Sequence, residues 1–218
     1  MVKKLVITRP AHDPITSYLN YFCKETIKKL KLNRDIHLTN LEGKNANKKE
    51  FENSMKREDP ELIFLNGHGD EDTVRGYKNE IILDKSNINI TKNKIVYALA
   101  CNSLQSLGEK AVNENGTKTY IGYRGTFSLV IDKSRSNTPE KDKNAEPFKK
   151  ACATMFDSLM AGETISTSIE NTKEEYIKSI RTYGTSKDDP YGDAPLIRFA
   201  LTWNLEFLDA IGDLNARF

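Results

Sequence analysis

The sequence predicts an α/β fold in which helices flank a mostly parallel sheet, and three observations point to it. Short apolar runs of strand length recur along the chain, at Lys4–Thr8, Ile36–Leu41, Leu62–Leu65, Ile95–Leu99 and Thr119–Tyr123. Stretches with helical spacing of apolar residues lie between most of them, the alternation that gives parallel sheets. Two of the runs end in small residues and then a reactive side chain: Asn66-Gly67-His68-Gly69 and Ala98-Leu99-Ala100-Cys101-Asn102-Ser103. In an α/β sheet, side chains just past the carboxyl ends of neighbouring strands share one crevice, where ligands bind.

Taken in order, Lys4–Thr8 is a first strand that stops at Arg9-Pro10. Asp13 caps a helix running to about Leu30, with Ile15, Leu19, Phe22, Ile27 and Leu30 roughly on one face. Ile36–Leu41 alternates apolar and polar residues and reads as a strand near an edge. Gly43–Asn47 is a loop, and Lys48–Arg57 a polar helix that ends before Asp59-Pro60. After the His68 strand, Thr73–Tyr77 and Ile81–Leu83 are compatible with a hairpin, followed by the Cys101 strand. Ser103–Asn115 predicts a helix starting just after the cysteine, with Leu104, Leu107, Ala111 and Val112 inward. Thr119–Tyr123 is the next strand, and Phe127–Ile131 continues the sheet or forms a small ribbon. Ser134–Glu146 is polar and holds a proline, hence an exposed loop without apolar anchors. Helices follow at Pro147–Met160 and Ile165–Thr182, then a loop over Gly184–Asp193. Leu196–Trp203 is expected as a last strand, closed by a helix over Leu205–Leu214.

Composition narrows the function. At 218 residues the chain fits one domain, taken as 1–218, large enough to bury a core without staples. Hydrophobic residues at 38% and charged residues at 29% suit a soluble protein and exclude disorder. The 33 basic and 31 acidic side chains nearly cancel, and the Lys pairs are dispersed on helix faces, so no direct nucleic-acid partner is expected. The apolar run Leu5-Val6-Ile7 is too short for a signal peptide or a span, which points to a cytoplasmic protein with no membrane partner. Cys23, Cys101 and Cys152 are odd in number and widely spaced, neither a disulfide framework nor a zinc pattern. No metal site and no cofactor are expected. Cys23 and Cys152 sit at helical spacing among apolar neighbours and read as small buried hydrophobes.

Cys101 is different. At the end of a strand and the start of a predicted helix, its sulfur would feel the positive end of the helix dipole, which favours thiolate. His68 ends the neighbouring motif, and a cysteine with a histidine nearby is the minimum for a thiol nucleophile with its general acid/base. Gly69 brings no Cβ, so its N–H and that of Cys101 are candidate donors to an oxyanion. Singly, a strand-end cysteine or histidine is more often packing than chemistry. The two together, each at a strand end among small residues, carry the inference.

An apolar strand with Gly67-His68-Gly69, then an apolar strand with Ala100-Cys101-Asn102-Ser103, resembles the caspase-like cysteine peptidases: caspases, metacaspases, gingipains, separases and bacterial CHAT domains. The chain looks closest to the CHAT-like peptidases, through Tyr120-Ile121-Gly122-Tyr123-Arg124-Gly125 and Phe156-Asp157-Ser158-Leu159-Met160-Ala161-Gly162-Glu163. It lacks the Gln before Ala-Cys and the Gly two places after it that mark true caspases, so caspase specificity does not carry over. The resemblance implies a three-layer αβα sandwich with a mostly parallel six-stranded sheet, and a cysteine endopeptidase acting on a protein or peptide substrate. His68 and Cys101 would be the dyad, and Gly69 and Cys101 the oxyanion hole. The segment around Arg124–Ser128, including Arg124 and Gly125, would pair with the substrate backbone as an added strand. Cues for the side chain before the cut conflict. Asp132, with Asp70 and Glu71, suits a basic residue; Arg9 suits an acidic one; solvated loop charges are the plain alternative for all four. The balance leans to a basic or small residue. CHAT-like peptidases are often controlled by partners, so a separate activating or regulatory protein is expected. Two rival functions stand beside this: a catalytically silent caspase-like binding or regulatory module, and a redox-sensing α/β protein using Cys101. The absence of a Gly-rich phosphate loop at Thr8-Arg9-Pro10 and of C-x-x-C weighs against the second.

Overall fold

The computed structural model describes residues 2–183 and 192–218. A six-stranded sheet runs in the order β2 (Ile36–Glu42), β1 (Lys3–Arg9), β3 (Leu62–Asn66), β6 (Ile95–Leu99), β7 (Thr119–Tyr123), β8 (Leu208–Gly212). All neighbours are parallel except β7 with β8. The expected hairpin forms as a separate two-stranded ribbon, β4 (Val74–Arg75) against β5 (Ile81–Leu83).

The strands bury both faces because alternate side chains point to opposite sides. Leu5, Ile7, Leu62, Phe64, Ile95, Tyr97, Ile121 and Tyr123 belong to one core, closed by α1 (Pro14–Phe22), α2 (Lys24–Leu32), α5 (Glu146–Met160), α6 (Ile165–Thr182) and α7 (Ala194–Phe207). Val6, Ile63, Leu65, Val96, Ala98 and Tyr120 form the other, with Phe51 and Met55 of α3 (Lys48–Glu58), Leu107 and Ala111 of α4 (Ser106–Asn113), and the ribbon. This is the three-layer αβα sandwich expected. Phe64 stacks on Tyr97 at 4.7 Å between adjacent strands. Cys23 and Cys152 are buried, as read from the sequence. No described helix is long and apolar enough to cross a membrane.

Four expectations are corrected. The final strand and helix are exchanged: Ala194–Phe207 is the helix and Leu208–Gly212 the strand. Ala194, Ile197, Ala200, Leu201 and Asn204 are buried at helical spacing, and Pro195 stands in the first turn, where it costs no hydrogen bond. The exposed Leu196 and Phe199 gave the segment its strand-like apolar density. Phe127–Ile131 adds no strand: the Asn204 side chain takes the Ser128 N–H (2.8 Å) and donates to its carbonyl (2.7 Å), occupying the groups a ladder would use. The helix expected from Ser103 begins at Ser106, five positions past Cys101. The helix expected from Asp13 to Leu30 breaks at Cys23, whose thiol donates to Asn66 Oδ1 at 3.7 Å.

The loop expected over Ser134–Glu146 is only partly free. Asp142 is buried and accepts from the Tyr18 hydroxyl (2.5 Å) and the Asp132 and Asn144 N–H groups, while Asn144 and Ala145 are buried beside it. Limited proteolysis is therefore expected to nick Lys133–Lys141 and to spare Asp142–Ala145. Cleavage at Lys143 as fast as at Lys133 would show that the Asp142 anchor does not hold. The loop expected over Gly184–Asp193 lies, except for Gly192 and Asp193, outside the described residues.

Candidate active site

The segments that follow β1, β3, β6 and β7 leave the same end of four contiguous parallel strands. They carry His12 and Asp13, His68, Cys101, and Arg124–Phe127, respectively. Asn66 pairs with Leu99 as the last pair of the β3–β6 ladder, and His68 and Cys101 each follow two residues past it at the same edge of the sheet. Two glycines hold this approach. A Cβ on Gly67 would lie 2.0 Å from the Arg75 carbonyl oxygen, and one on Gly69 would lie 2.9 Å from both the Ala100 methyl and the Cys101 carbonyl oxygen. Just past the thiol, Asn102 takes a left-handed backbone (φ 55°), which asparagine tolerates, and turns the chain away.

His68 is held by a residue that sequence reading used only as a helix cap. Asp13 caps α1 by accepting the Thr16 N–H on Oδ1 (2.8 Å), and its Oδ2 accepts from His68 Nε2 at 2.8 Å. Burial pushes the Asp13 carboxyl up, but the Thr16 N–H and His68 outweigh it and hold the group below its ordinary value. The carboxylate is thus ionised at neutral pH and can only accept, so Nε2 carries the proton and Nδ1 is the basic nitrogen of the neutral ring. Nδ1 has no hydrogen-bond partner among the described residues. An acidic residue three before a buried Thr in the turn after β1 resembles any N-cap, which is why its second role is invisible in sequence.

His12 lies in the same place. Its Nε2 is 3.2 Å from Asp13 Oδ2, and its ring meets those of His68 (6.2 Å) and Tyr77 (5.6 Å) edge to face.

The Cys101 thiol points to the Phe127 carbonyl, 3.9 Å away, and makes no hydrogen bond to His68. Burial raises its pKa, opposed in smaller part by hydrogen bonds with Phe127 and with its own backbone. The expected lowering by a helix N-terminus is overturned, because Leu104 N–H bonds to Tyr123 O of β7 and the helix starts too late to bring its dipole to the sulfur. Cys23 is pushed up to about 12 and Cys152 well above its ordinary value, both by complete burial. Iodoacetamide is therefore expected to label Cys101 before the other two, with a rate still climbing above pH 8.5, the ordinary thiol value. Mass spectrometry of a time course checks the order, and labelling of Cys23 or Cys152 first would contradict this burial.

The candidate oxyanion donors are open. The Gly69–Val74 bridge is made by flanking groups, Arg75 N–H to His68 O and Asp70 N–H to Thr73 O, so Gly69's own N–H faces away from the ribbon. Neither it nor the Cys101 N–H has a hydrogen-bond partner among the described backbone groups.

The remaining residues singled out in sequence are largely engaged. Arg9 is 4% exposed and paired with Glu42 at 2.6 Å. Asp70 accepts from Thr73 and Arg75. Asp132 caps the turn at Ser134 and its N–H is bound to Asp142. Arg124 is clamped by Asp209 (2.9 Å) and Glu109 (3.3 Å). Gly125 lies against the Phe207 ring, and the carbonyls of Arg124, Gly125 and Thr126 accept from Gln105, Asn102 and Trp203. A cavity of about 680 Å³ lined by Glu71, Gln105, Ser106, Glu109, Lys110 and Arg124 is built from the residues that follow His68, Cys101 and β7.

No protein-family model matches this sequence, and no curated protein does. Solved structures do match in shape. The crystal structure of the Arg-specific cysteine proteinase gingipain R (RgpB) superposes over 100% of this chain with a TM-score of 0.60 at 11% identity. The complex of Porphyromonas gingivalis RgpB pro- and mature domains does so at 0.53 and 13% identity. This chain spans about half of each, 47% and 49%. At such identities the likeness is one of fold: the six-stranded sheet and its helices share the caspase-like α/β architecture of gingipain R.

Proposed function

We propose that the chain is a cysteine endopeptidase domain, spanning 1–218, with Cys101 as nucleophile, His68 as general acid/base and Asp13 as the residue that orients His68. The observation that carries the reading is the placement of Cys101 and His68 at facing ends of β6 and β3, with Asp13 fixing the tautomer that leaves Nδ1 basic. Nδ1 takes the thiol proton as Sγ attacks the substrate carbonyl carbon. The oxyanion formed accepts from the Gly69 and Cys101 N–H groups. As the C–N bond breaks, His68 returns the proton to the leaving amine; it then takes a proton from the water that attacks the thioester. A raised, protonated Cys101 also weighs against the redox-sensor alternative, since sensor thiols are low in pKa and accessible.

The residue before the cut is a basic one in this reading. Arg9 is neutralised by Glu42 and cannot select an acid, while Glu71 and Glu109 bring negative charge to a cavity that Lys110 and Arg124 also line. Substrate backbone pairs with the N–H groups of Gly125, Thr126 and Phe127, which the engaged carbonyls of that segment leave available. The thiol bound to Phe127 rather than to His68 describes a resting state, in keeping with an activating partner; the gingipain structure that holds a pro-domain offers a parallel. The kinship is nearest the CHAT-like branch, on the motifs at 120–125 and 156–163. A fluorogenic peptide library varied at the residue before the scissile bond, run with wild type and Cys101→Ala, tests the proposal. Hydrolysis after Lys or Arg that vanishes in Cys101→Ala supports it. Hydrolysis that persists in Cys101→Ala overturns it.

A further inference from the structure

We infer that His12, Asp13 and His68 form a binding site for a divalent transition-metal ion, zinc being the natural probe, and that occupancy switches His68 off. Among the described residues this is the one group whose ligand atoms meet: His12 Nε2, Asp13 Oδ2 and His68 Nε2 all lie within 4.8 Å of one another. Nothing in the sequence spacing announces it, because His12 and His68 come from different strand ends.

The second observation is the state of His12. Its side chain is 10% exposed, yet Nε2 has no hydrogen-bond partner: Asp13 Oδ2 is 3.2 Å away but not at a hydrogen-bonding angle. A buried ring nitrogen facing a carboxylate and a second imidazole, with no hydrogen bond made, is a donor atom without a use in the apo arrangement. Its other nitrogen, Nδ1, sits 3.5 Å from Thr16 Oγ1, and Tyr77 packs on the ring. Such outer contacts fix the orientation of metal-binding histidines.

Geometry and chemistry agree. A tetrahedral zinc with Zn–N and Zn–O near 2.0–2.1 Å keeps its ligands about 3.3 Å apart. The two pairs measured here, 2.8 and 3.2 Å, need only small ring rotations. Asp13 is 27% and His68 35% exposed, which leaves an entry path and a fourth position for water. Two imidazoles and one carboxylate suit first-row transition metals rather than calcium or magnesium.

The consequence for His68 follows from proton balance. Metal on Nε2 displaces the proton now shared with Asp13, and in the neutral ring that proton moves to Nδ1. Nδ1 then holds a hydrogen and can no longer accept one from Cys101. This regulatory consequence rests on the peptidase reading; the binding itself does not, and is tested without turnover. The chain has three histidines, and the third, His37, is exposed and paired with Glu58.

The test is titration of the chelator-treated full chain with Zn²⁺, followed by calorimetry and by the imidazole NMR signals. One equivalent is expected to bind, moving the His12 and His68 signals and leaving those of His37. His12→Ala should weaken binding by about 10- to 100-fold, and Cys101→Ala should leave it unchanged. His12→Gln, which keeps more of the buried volume, covers the case in which His12→Ala does not fold. No saturable binding, binding indifferent to both His12 variants, or binding lost in Cys101→Ala would each overturn the site. Zinc that binds as described while the wild-type chain cleaves no peptide would leave the site standing and remove the peptidase reading.

Discussion

Alanine at Cys101 or at His68 is expected to remove nearly all peptide hydrolysis, on the order of a million-fold if the pair behaves as nucleophile and base do in other triads. The two side chains act on one proton: without the base the half-buried thiol stays protonated, and without the thiol the base has nothing to activate. Burial has already raised the Cys101 thiol, so the nucleophile depends on a base more than a thiol of ordinary pKa would. The losses should therefore be strongly non-additive, with the double variant little worse than either single one. His37→Ala is the control. That ring is 53% exposed, on the edge strand and paired with Glu58, so turnover should stay within about tenfold, a barrier change of about 1.4 kcal/mol. His12 cannot serve as a second control, because it packs beside Asp13 and His68. Steady-state kinetics on a cleavable peptide reads the result, with circular dichroism to confirm folding. A folded His68→Ala chain that turns over at the wild-type rate would end the assignment.

The sequence makes the dyad legible for a physical reason. Buried parallel strands are near-continuous apolar runs, so Leu62–Asn66 and Ile95–Leu99 announce themselves, and the residues just past them must share one edge of the sheet. Side-chain function that depends on a third element does not announce itself. Asp13 reads as an N-cap because it is one, and only the β1–β3 pairing brings it to His68. The helix-dipole argument for Cys101 fails on a short scale: a left-handed Asn102 and a backbone bond from Leu104 to β7 delay the helix. At the C-terminus, Leu196 and Phe199 are exposed apolar residues on a helix, and apolar density alone misassigns them as strand. Arg9 and Arg124 look available in sequence, yet each meets a carboxylate from a distant element, Glu42 and Asp209.

Asp13→Asn separates orientation from folding, and it is expected to lower kcat by about 10² to 10⁴-fold with KM little changed, the upper figure being that of the corresponding change in a serine triad. Asparagine caps helices as well as aspartate, so the Thr16 N–H keeps an acceptor and α1 should lose little. What is lost is the requirement that His68 present a proton at Nε2. The amide can offer either an oxygen or an NH₂ to the ring, so the tautomer with basic Nδ1 is no longer enforced. Asp13→Ala removes both functions and should add a stability loss of about 1 kcal/mol from the missing cap. The pH dependence gives an independent signature. The Asp13 carboxyl is held below its ordinary value in the folded chain, so its charge contributes stability that is fully present above the unfolded value of about 3.9. That contribution disappears as pH falls through the lower folded value. Denaturant unfolding should therefore show Asp13→Asn less stable than wild type near neutrality, with the gap closing below about pH 4. A gap that persists unchanged at acid pH would mean that the carboxylate charge is not what holds His68. A kcat equal to wild type would mean that Asp13 does not orient His68 for catalysis.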